Sequence, residues 1–138
     1  MSFIQPSKIL THEAVMTMLS AAIAEAQSQG QPQCIVIVDA SGEVLGEIRM
    51  TGAKFLSRKS AHNKALTAAS IRAATTTIPD AVRQSIGMAT EGHMTGLPGG
   101  LPILVSGECV GGIGIGSGTG DQDVTVATAA LRAIGADI

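Results

Sequence analysis

The chain has almost no aromatic side chains. Among its 138 residues there is no Trp and no Tyr, and Phe3 and Phe55 are the only phenylalanines. Proteins that bind single-stranded nucleic acids stack the bases on aromatic rings, which this chain lacks. A formal net charge of −2 also gives no general attraction for a phosphate backbone. We therefore expect a protein that does not bind nucleic acid.

Long apolar runs are missing as well. No stretch of about 18 apolar residues occurs, so the sequence predicts no membrane-spanning helix. The first ten residues, MSFIQPSKIL, have neither the basic start nor the long apolar segment of a secretory signal. These features predict a cytoplasmic protein without membrane contact. The length fits a single domain over residues 1–138.

Cysteine and histidine are scarce and widely spaced. Cys34 and Cys109 lie in separate apolar, strand-like runs without CxxC spacing, so we expect free thiols. His12, His62 and His93 are not spaced as metal ligands, and the sequence predicts no dedicated metal site. A single histidine is nevertheless enough for one axial bond to a haem iron.

Acidic residues are absent between positions 48 and 79. The same stretch holds His62 and six cations: Arg49, Lys54, Arg58, Lys59, Lys64 and Arg72. Such a block fits either an anionic small molecule or a solvated helix face. Lys64 shares a helical stripe with Ser60 and Thr67, beside small alanines. Its charge therefore needs a carboxylate partner or an anionic ligand, unless the side chain extends over the alanines to solvent.

Glycine, in contrast, is abundant in one segment, with ten of the seventeen glycines between Gly96 and Gly120. Neither the GxGxxG fingerprint nor a P-loop GK[ST] occurs there, so the standard nucleotide cradles are excluded. The N–H groups of residues 116–120, at the start of a helix, could hold an anion, although Asp121 and Asp123 oppose one. The alternation of Gly112 with its neighbours at 114 and 116 indicates close approach of another backbone or of a flat ligand.

Hydrophobic periodicity predicts helices that alternate with β-hairpins. The expected elements are a helix capped by Thr11 and ended by Gly30, a hairpin of residues 34–39 and 44–50, a helix over residues 57–74, a short helix from Pro79 to Ile86, a loop over residues 85–101, a hairpin of residues 103–106 and 109–116, and a last helix capped by Asp121 or Ser117 and closed by Gly135. Because hairpins dominate, the sheet should be mainly antiparallel, with helices packed on it. The predicted class is α+β.

Several motifs along nearly the whole chain resemble the GlcG/HbpS family of small haem-associated proteins. The strongest are LPGGLPI at 97–103, GECVGGIG at 107–114 and Gln122-Asp123 at the start of the last helix. Further matches are Leu10-Thr11, VDASG at 38–42, and KA and TAA at 64–65 and 67–69. The resemblance implies a profilin-like α+β fold, assembly into homo-oligomers, and haem or a related tetrapyrrole as the ligand.

The leading hypothesis is an oligomeric protein that binds a small anionic molecule between the second helix and the glycine-rich hairpin. Arg49 and Lys64 would bind the anionic groups, His93 or His62 would be the axial ligand of a haem, and Gly99 and Gly100 would border the ligand.

One alternative is a lyase or isomerase without a cofactor, acting on a small carboxylated substrate by acid–base chemistry through His62, Lys64 or His93. In a purely structural alternative, the glycines and alanines only permit close packing.

Overall fold

The computed structural model describes all residues of the chain, 1–138. Four α-helices and four strands follow one another as α1 (His12–Gln29), β1 (Cys34–Asp39), β2 (Val44–Arg49), α2 (Ser57–Ile71), α3 (Asp80–Ala89), β3 (Gly100–Val105), β4 (Glu108–Gly116) and α4 (Gly120–Ala133). A single 3₁₀ turn, Thr75–Thr77, separates α2 from α3. The strands form one antiparallel sheet in the order β2-β1-β4-β3. This arrangement confirms the predicted α+β class.

The sheet has helices on both faces. Helices α1 and α4 cover one face, where Met18, Ile37, Ile113 and Val126 belong to the larger core. Helix α2 covers the other face, and its alanines pack on Val36 and Val38 of β1 in a smaller core. Strand β1 is therefore buried on both sides, which explains the unbroken apolar run CIVIV that precedes Asp39. No helix is both long and apolar enough to cross a membrane.

Helix α2 lies unusually close to strand β4. A Cβ atom on Gly116 would stand 2.6 Å from the Ser57 carbonyl oxygen, and one on Gly114 would stand 2.6 Å from the Ala65 nitrogen. The sequence predicted that either another backbone or a flat ligand approaches the alternating glycines. In the structure the backbone of α2 does so. The helix leaves no room for a ligand over these strands, which corrects the expected position of the pocket. Two cavities that α2 lines open toward its two ends instead.

The remaining differences from the predicted elements lie at their ends. Helix α2 ends at Ile71 instead of residue 74 because Arg72 adopts a left-handed backbone conformation with φ 57°. Strand β3 begins earlier, at Gly100, which pairs with Gly114. Neither Asp121 nor Ser117 caps α4. Thr119 does, because its hydroxyl accepts the N–H of Gln122 while the Gln122 side chain accepts the Thr119 N–H, a capping box.

Candidate functional site

A cleft of about 350 Å³ opens beside the C-terminal half of α2 and contains His93. We call it the His93 cleft. It is lined by Ala40, Ser41, Gly42, Leu66, Thr67, Ala69, Ser70, Thr90, His93 and Met94. Three segments meet there: the β1–β2 turn, helix α2 and the loop that follows α3. The cleft offers one imidazole and one thioether among small and aliphatic side chains.

Two threonines hold the loop that carries His93. The buried Thr67 of α2 donates its hydroxyl to the His93 carbonyl oxygen at 3.1 Å and accepts the N–H of Thr95 at 3.1 Å. The Thr90 hydroxyl oxygen accepts the N–H of Met94 at 2.9 Å. These bonds fix the main chain on both sides of the imidazole, although the His93 side chain itself is exposed. A loop without helical or strand periodicity is thereby given a defined position.

The other two histidines occupy different places. His62 lies half-buried on α2, four residues before Leu66, so both side chains follow the same stripe of the helix. It stands one turn away from the residues that line the His93 cleft. The His12 side chain is 89% exposed at the start of α1, where it meets Glu13 at 3.3 Å. Of the two predicted axial ligands, His93 is the one that lines a cavity.

Lys64 is buried and has a carboxylate partner. Its Nζ donates to Asp123 Oδ2 at 2.8 Å and to the Ile115 carbonyl oxygen at 2.7 Å. The other carboxylate oxygen, Asp123 Oδ1, accepts the Gly118 N–H at 3.1 Å. Of the predicted alternatives for Lys64, the structure contains the carboxylate partner, which is Asp123. Because the ion pair engages its charge, Lys64 could enter acid–base chemistry only after the pair is broken.

The remaining predicted site residues do not all come together. Gly99 and Gly100 lie against Lys64, and a Cβ on Gly99 would stand 3.2 Å from the Lys64 Nζ. Arg49 is exposed on the outer strand β2, opposite Cys34, and reaches neither Lys64 nor the His93 cleft. Burial raises the pKa of the Cys34 thiol, and Arg49 partly offsets that effect. The predicted residues thus divide among four places: the His93 cleft, His62 one turn away on α2, Lys64 with the two glycines, and Arg49 on β2.

Sequence reasoning missed the largest cavity, of about 890 Å³, which we call the N-terminal cavity. It is bordered by residues 5–9, the two hairpin turns and the end of α2, and it holds four charged residues: Lys8, Asp39, Arg72 and Glu108. Ala40 and Ser41 line both this cavity and the His93 cleft, so the two adjoin. Arg72 belongs to the acid-free block of the sequence, but only the fold shows that it, and no other cation of the block, lines this cavity.

Asp39 anchors the turn between these two cavities. Its slight burial raises the pKa of the carboxyl, but the hydrogen bonds it accepts from Ser41 and Glu43 outweigh that effect, so the pKa lies below its usual value. The carboxylate is therefore charged at neutral pH and fixes the turn that borders both cavities.

Comparison with known proteins decides the family. The model of the family described as haem degrading protein HbpS-like matches residues 10–132, which is most of the chain. The chain belongs to the HbpS-like family. This assignment confirms the resemblance that the sequence motifs indicated. The matched range includes α1, the whole sheet and nearly all of α4.

Solved structures of HbpS-like relatives share the fold over nearly their full length. Protein ORFY of Klebsiella pneumoniae is 26% identical with a TM-score of 0.94, and the match covers 100% of this chain and 99% of that one. PduOC, solved as a haem complex, is 29% identical with a TM-score of 0.88 and coverages of 94% and 98%. HbpS of Streptomyces reticuli is 32% identical with a TM-score of 0.83, and the coverages are 94% and 89%.

A curated relative is much longer than this chain. The corrinoid adenosyltransferase PduO of Citrobacter freundii is 32% identical over 135 residues, which is 94% of this chain but 40% of PduO. The chain thus spans about two fifths of that protein. An uncharacterised 15.0 kDa protein of the same organism is 32% identical over 127 residues, with coverages of 88% and 89%.

Proposed function

We propose that this HbpS-like protein binds haem or a related tetrapyrrole in the His93 cleft. The observation that carries the proposal is the position of His93, a potential axial ligand of haem iron, in a cavity beside Leu66, Ala69 and Met94. A relative solved with haem, 29% identical over most of the chain, supports the choice of ligand. The ligand supplies its own iron and macrocycle, while the protein supplies position and surroundings.

The residues of the cleft fit a flat, largely apolar ligand with acidic edges. Leu66 and Ala69 present aliphatic surface from α2, and Met94 adds a thioether that adapts to irregular shapes. The adjoining N-terminal cavity places Arg72 on the other side of Ala40 and Ser41, and no carboxylate forms an ion pair with its guanidinium. A propionate that extends past the turn would find a cation there. Arg72 thus replaces Arg49 and Lys64 as the proposed partner of the acidic groups.

Titration of the protein with haemin, followed in the Soret band, tests the proposal. We expect His93→Ala to shift the Soret maximum and to weaken binding at least about tenfold, or about 1.4 kcal/mol. We expect Arg72→Ala to weaken binding without moving the maximum, because it does not contact the iron. His12→Ala is the matched control, since this exposed imidazole lies in no cavity described above, and it should behave like the unmodified protein.

Three results would contradict this assignment. An unchanged spectrum in His93→Ala together with a changed one in His62→Ala would move the axial ligand one turn along α2. Equal spectra in all three histidine variants would remove histidine from the iron altogether. A protein that produces no Soret shift with haemin would exclude the haem proposal as a whole.

A further inference from the structure

A second cavity lies at the opposite end of α2 from the haem site proposed above. It has a volume of about 270 Å³ and opens between the first turns of α2 and the loop that joins β4 to α4. We call it the serine pocket. Its polar lining consists of Lys54, Ser57, Ser60, Lys64, Ser117 and Asp123. Neither His93 nor any other histidine borders it.

Lys64 has an unused hydrogen-bond donor at this pocket. An ammonium group carries three N–H donors, and the contacts to Ile115 and Asp123 account for two of them. The Lys64 side chain is only 6% exposed, so bulk water hardly reaches the third N–H. A buried donor without an acceptor is costly. An acceptor atom within the pocket that Lys64 lines would complete its coordination.

A second buried polar group beside the pocket also has no partner. The Gln33 side chain is fully buried, and neither its Nε2 nor its Oε1 makes a hydrogen bond. Its Nε2 lies next to Gly118, which lines the pocket, since a Cβ on Gly118 would stand 2.5 Å from it. Buried amides are nearly always hydrogen-bonded in folded proteins. Gln33 does not line the pocket itself, so Lys64 is the residue that presents an unsatisfied donor to a bound molecule.

The charges of the pocket indicate what kind of molecule fits. Lys64 and Asp123 neutralise each other, and Lys54 at the mouth forms no ion pair. The pocket therefore carries one uncompensated positive charge. The Ser117 Oγ accepts the Lys54 main-chain N–H at 3.0 Å, which leaves its own O–H free to donate. A monoanion with compact hydrogen-bond acceptors matches this set, while the Asp123 carboxylate disfavours a dianion.

We propose that the serine pocket binds a small monocarboxylate. One carboxylate oxygen would accept from the third N–H of Lys64 and the other from the Ser117 hydroxyl, with Lys54 balancing the charge. A volume of about 270 Å³ is sufficient for a molecule of a few carbon atoms. The proposal does not depend on haem binding, because the two cavities share no lining residue.

Isothermal titration of the full chain with acetate and with lactate tests this site. We expect saturable binding that Lys54→Ala weakens by roughly tenfold, the loss expected for one interaction with a charged group. Lys59→Ala is the matched control: it removes the same charge from an exposed lysine five residues further along the chain, in the first turn of α2, that does not line the pocket, and it should leave binding unchanged. Haemin titration should give the same affinity for Lys54→Ala as for the unmodified chain.

Several outcomes would overturn the proposal. No saturable heat with either carboxylate in the millimolar range would mean that the pocket is not a carboxylate site. Equal weakening by Lys54→Ala and Lys59→Ala would mean that the anions respond only to the overall positive charge around the start of α2 and do not bind in the pocket. Inorganic phosphate binding as tightly as acetate would show that the monocarboxylate class is wrong.

Discussion

Lys64 is a charged residue in the interior of the protein, with only 4% of its surface exposed. Its ion pair with Asp123 joins the middle of α2 to the first turns of α4, and Asp123 also holds the Gly118 N–H. Two residues that are 59 positions apart in the sequence thus connect α2 and α4 through buried polar groups. Such a pair adds little net stability when intact, but the loss of one partner leaves a charge without compensation.

We expect Asp123→Ala to lower the free energy of unfolding by about 3–5 kcal/mol, because Lys64 then remains buried and unpaired. The double variant Lys64→Met/Asp123→Ala should lose less than Asp123→Ala alone, since it removes the stranded charge. Denaturant unfolding followed by circular dichroism measures both. Asp80→Ala is the control, because it breaks the exposed Asp80–Arg83 pair of α3 and should cost less than about 1 kcal/mol.

A double variant that loses more than Asp123→Ala would show that Lys64 stabilises the fold by itself. In that case its contacts with the Ile115 carbonyl oxygen and with the small residues around it would outweigh the cost of its isolated charge.

Single residues show where sequence reasoning succeeded and where it stopped. The helical stripe and the small neighbours of Lys64 predicted an unusual lysine with two candidate partners, and the fold selected Asp123. Nothing in the pattern around Asp123 distinguished it from Asp121, because both lie in the first turns of one helix and only the buried one meets Lys64. The pairing depends on how α2 and α4 are placed on opposite faces of the sheet so that Lys64 and Asp123 meet, which local sequence does not encode.

At the scale of elements, the contact between α2 and β4 is the most extensive in the molecule. Glycines at alternate positions of β4 face the helix, and alanines of α2 face the strand. Each glycine removes a side chain where a helix main-chain atom comes near. The packing therefore depends on the absence of Cβ atoms along one line of the strand.

We expect Gly114→Ala to destabilise the protein by about 3 kcal/mol or more, because the new Cβ would collide with the Ala61 carbonyl oxygen and force α2 away from the sheet. Gly87→Ala is the matched control. Gly87 lies within α3, and a Cβ there would meet its nearest neighbour, the Met94 carbonyl oxygen, at an ordinary 3.6 Å.

That control should be neutral or stabilising by up to about 1 kcal/mol, the difference in helix propensity. Equal melting temperatures for the two variants would contradict the role assigned to the strand glycines.

Most elements were predictable because their boundaries are set locally. Thr11 accepts the N–H of Ala14 at 3.2 Å and caps α1, and Gly30 ends it in a left-handed conformation, as expected. Strand β1 has the predicted bounds. The end of α2 was not predictable because Arg72 takes a conformation that its residue type does not favour. The LPGGLPI segment was expected to begin as loop, although Gly100 already pairs with β4.

At the scale of the whole molecule, one sheet separates two cores of unequal size. Isoleucines of β1 and β4 point toward α1 and α4, while the valines of β1 point toward α2. Because β1 contributes to both cores, displacement of this strand would expose both cores to solvent at once. We therefore expect residues 1–138 to unfold as one cooperative unit.

Calorimetry should show a single transition. The expected enthalpy is about 0.7 kcal/mol per residue, roughly 97 kcal/mol for the chain near 60 °C. The predicted homo-oligomer would raise the melting temperature as the protein concentration increases. Two separate transitions would contradict a single domain, and a melting temperature independent of concentration would contradict the oligomer.

The candidate sites were less predictable than the fold. The loop that carries His93 and the acid-free block both contain residues that line cavities, namely His93, Lys54, Lys64 and Arg72. The prediction placed Arg49, Lys64 and His93 around one pocket between α2 and the glycine-rich hairpin. In the structure α2 packs directly on β4 there, His93 and Lys64 line different cavities, and Arg49 lines neither. Each cavity is built from segments distant in the chain, so its membership follows from the tertiary structure and not from spacing.

The intimate contact of α2 with β4 also has a mechanical consequence. A helix whose main chain rests against glycines cannot slide along the strand without driving its own carbonyl groups into the sheet, so α2 is held on β4 as a rigid rod. The serine pocket and the His93 cleft lie at opposite ends of that rod, from Ser57 to Ser70, about 20 Å apart at 1.5 Å per residue. The contact with β4 therefore fixes the distance between the two cavities.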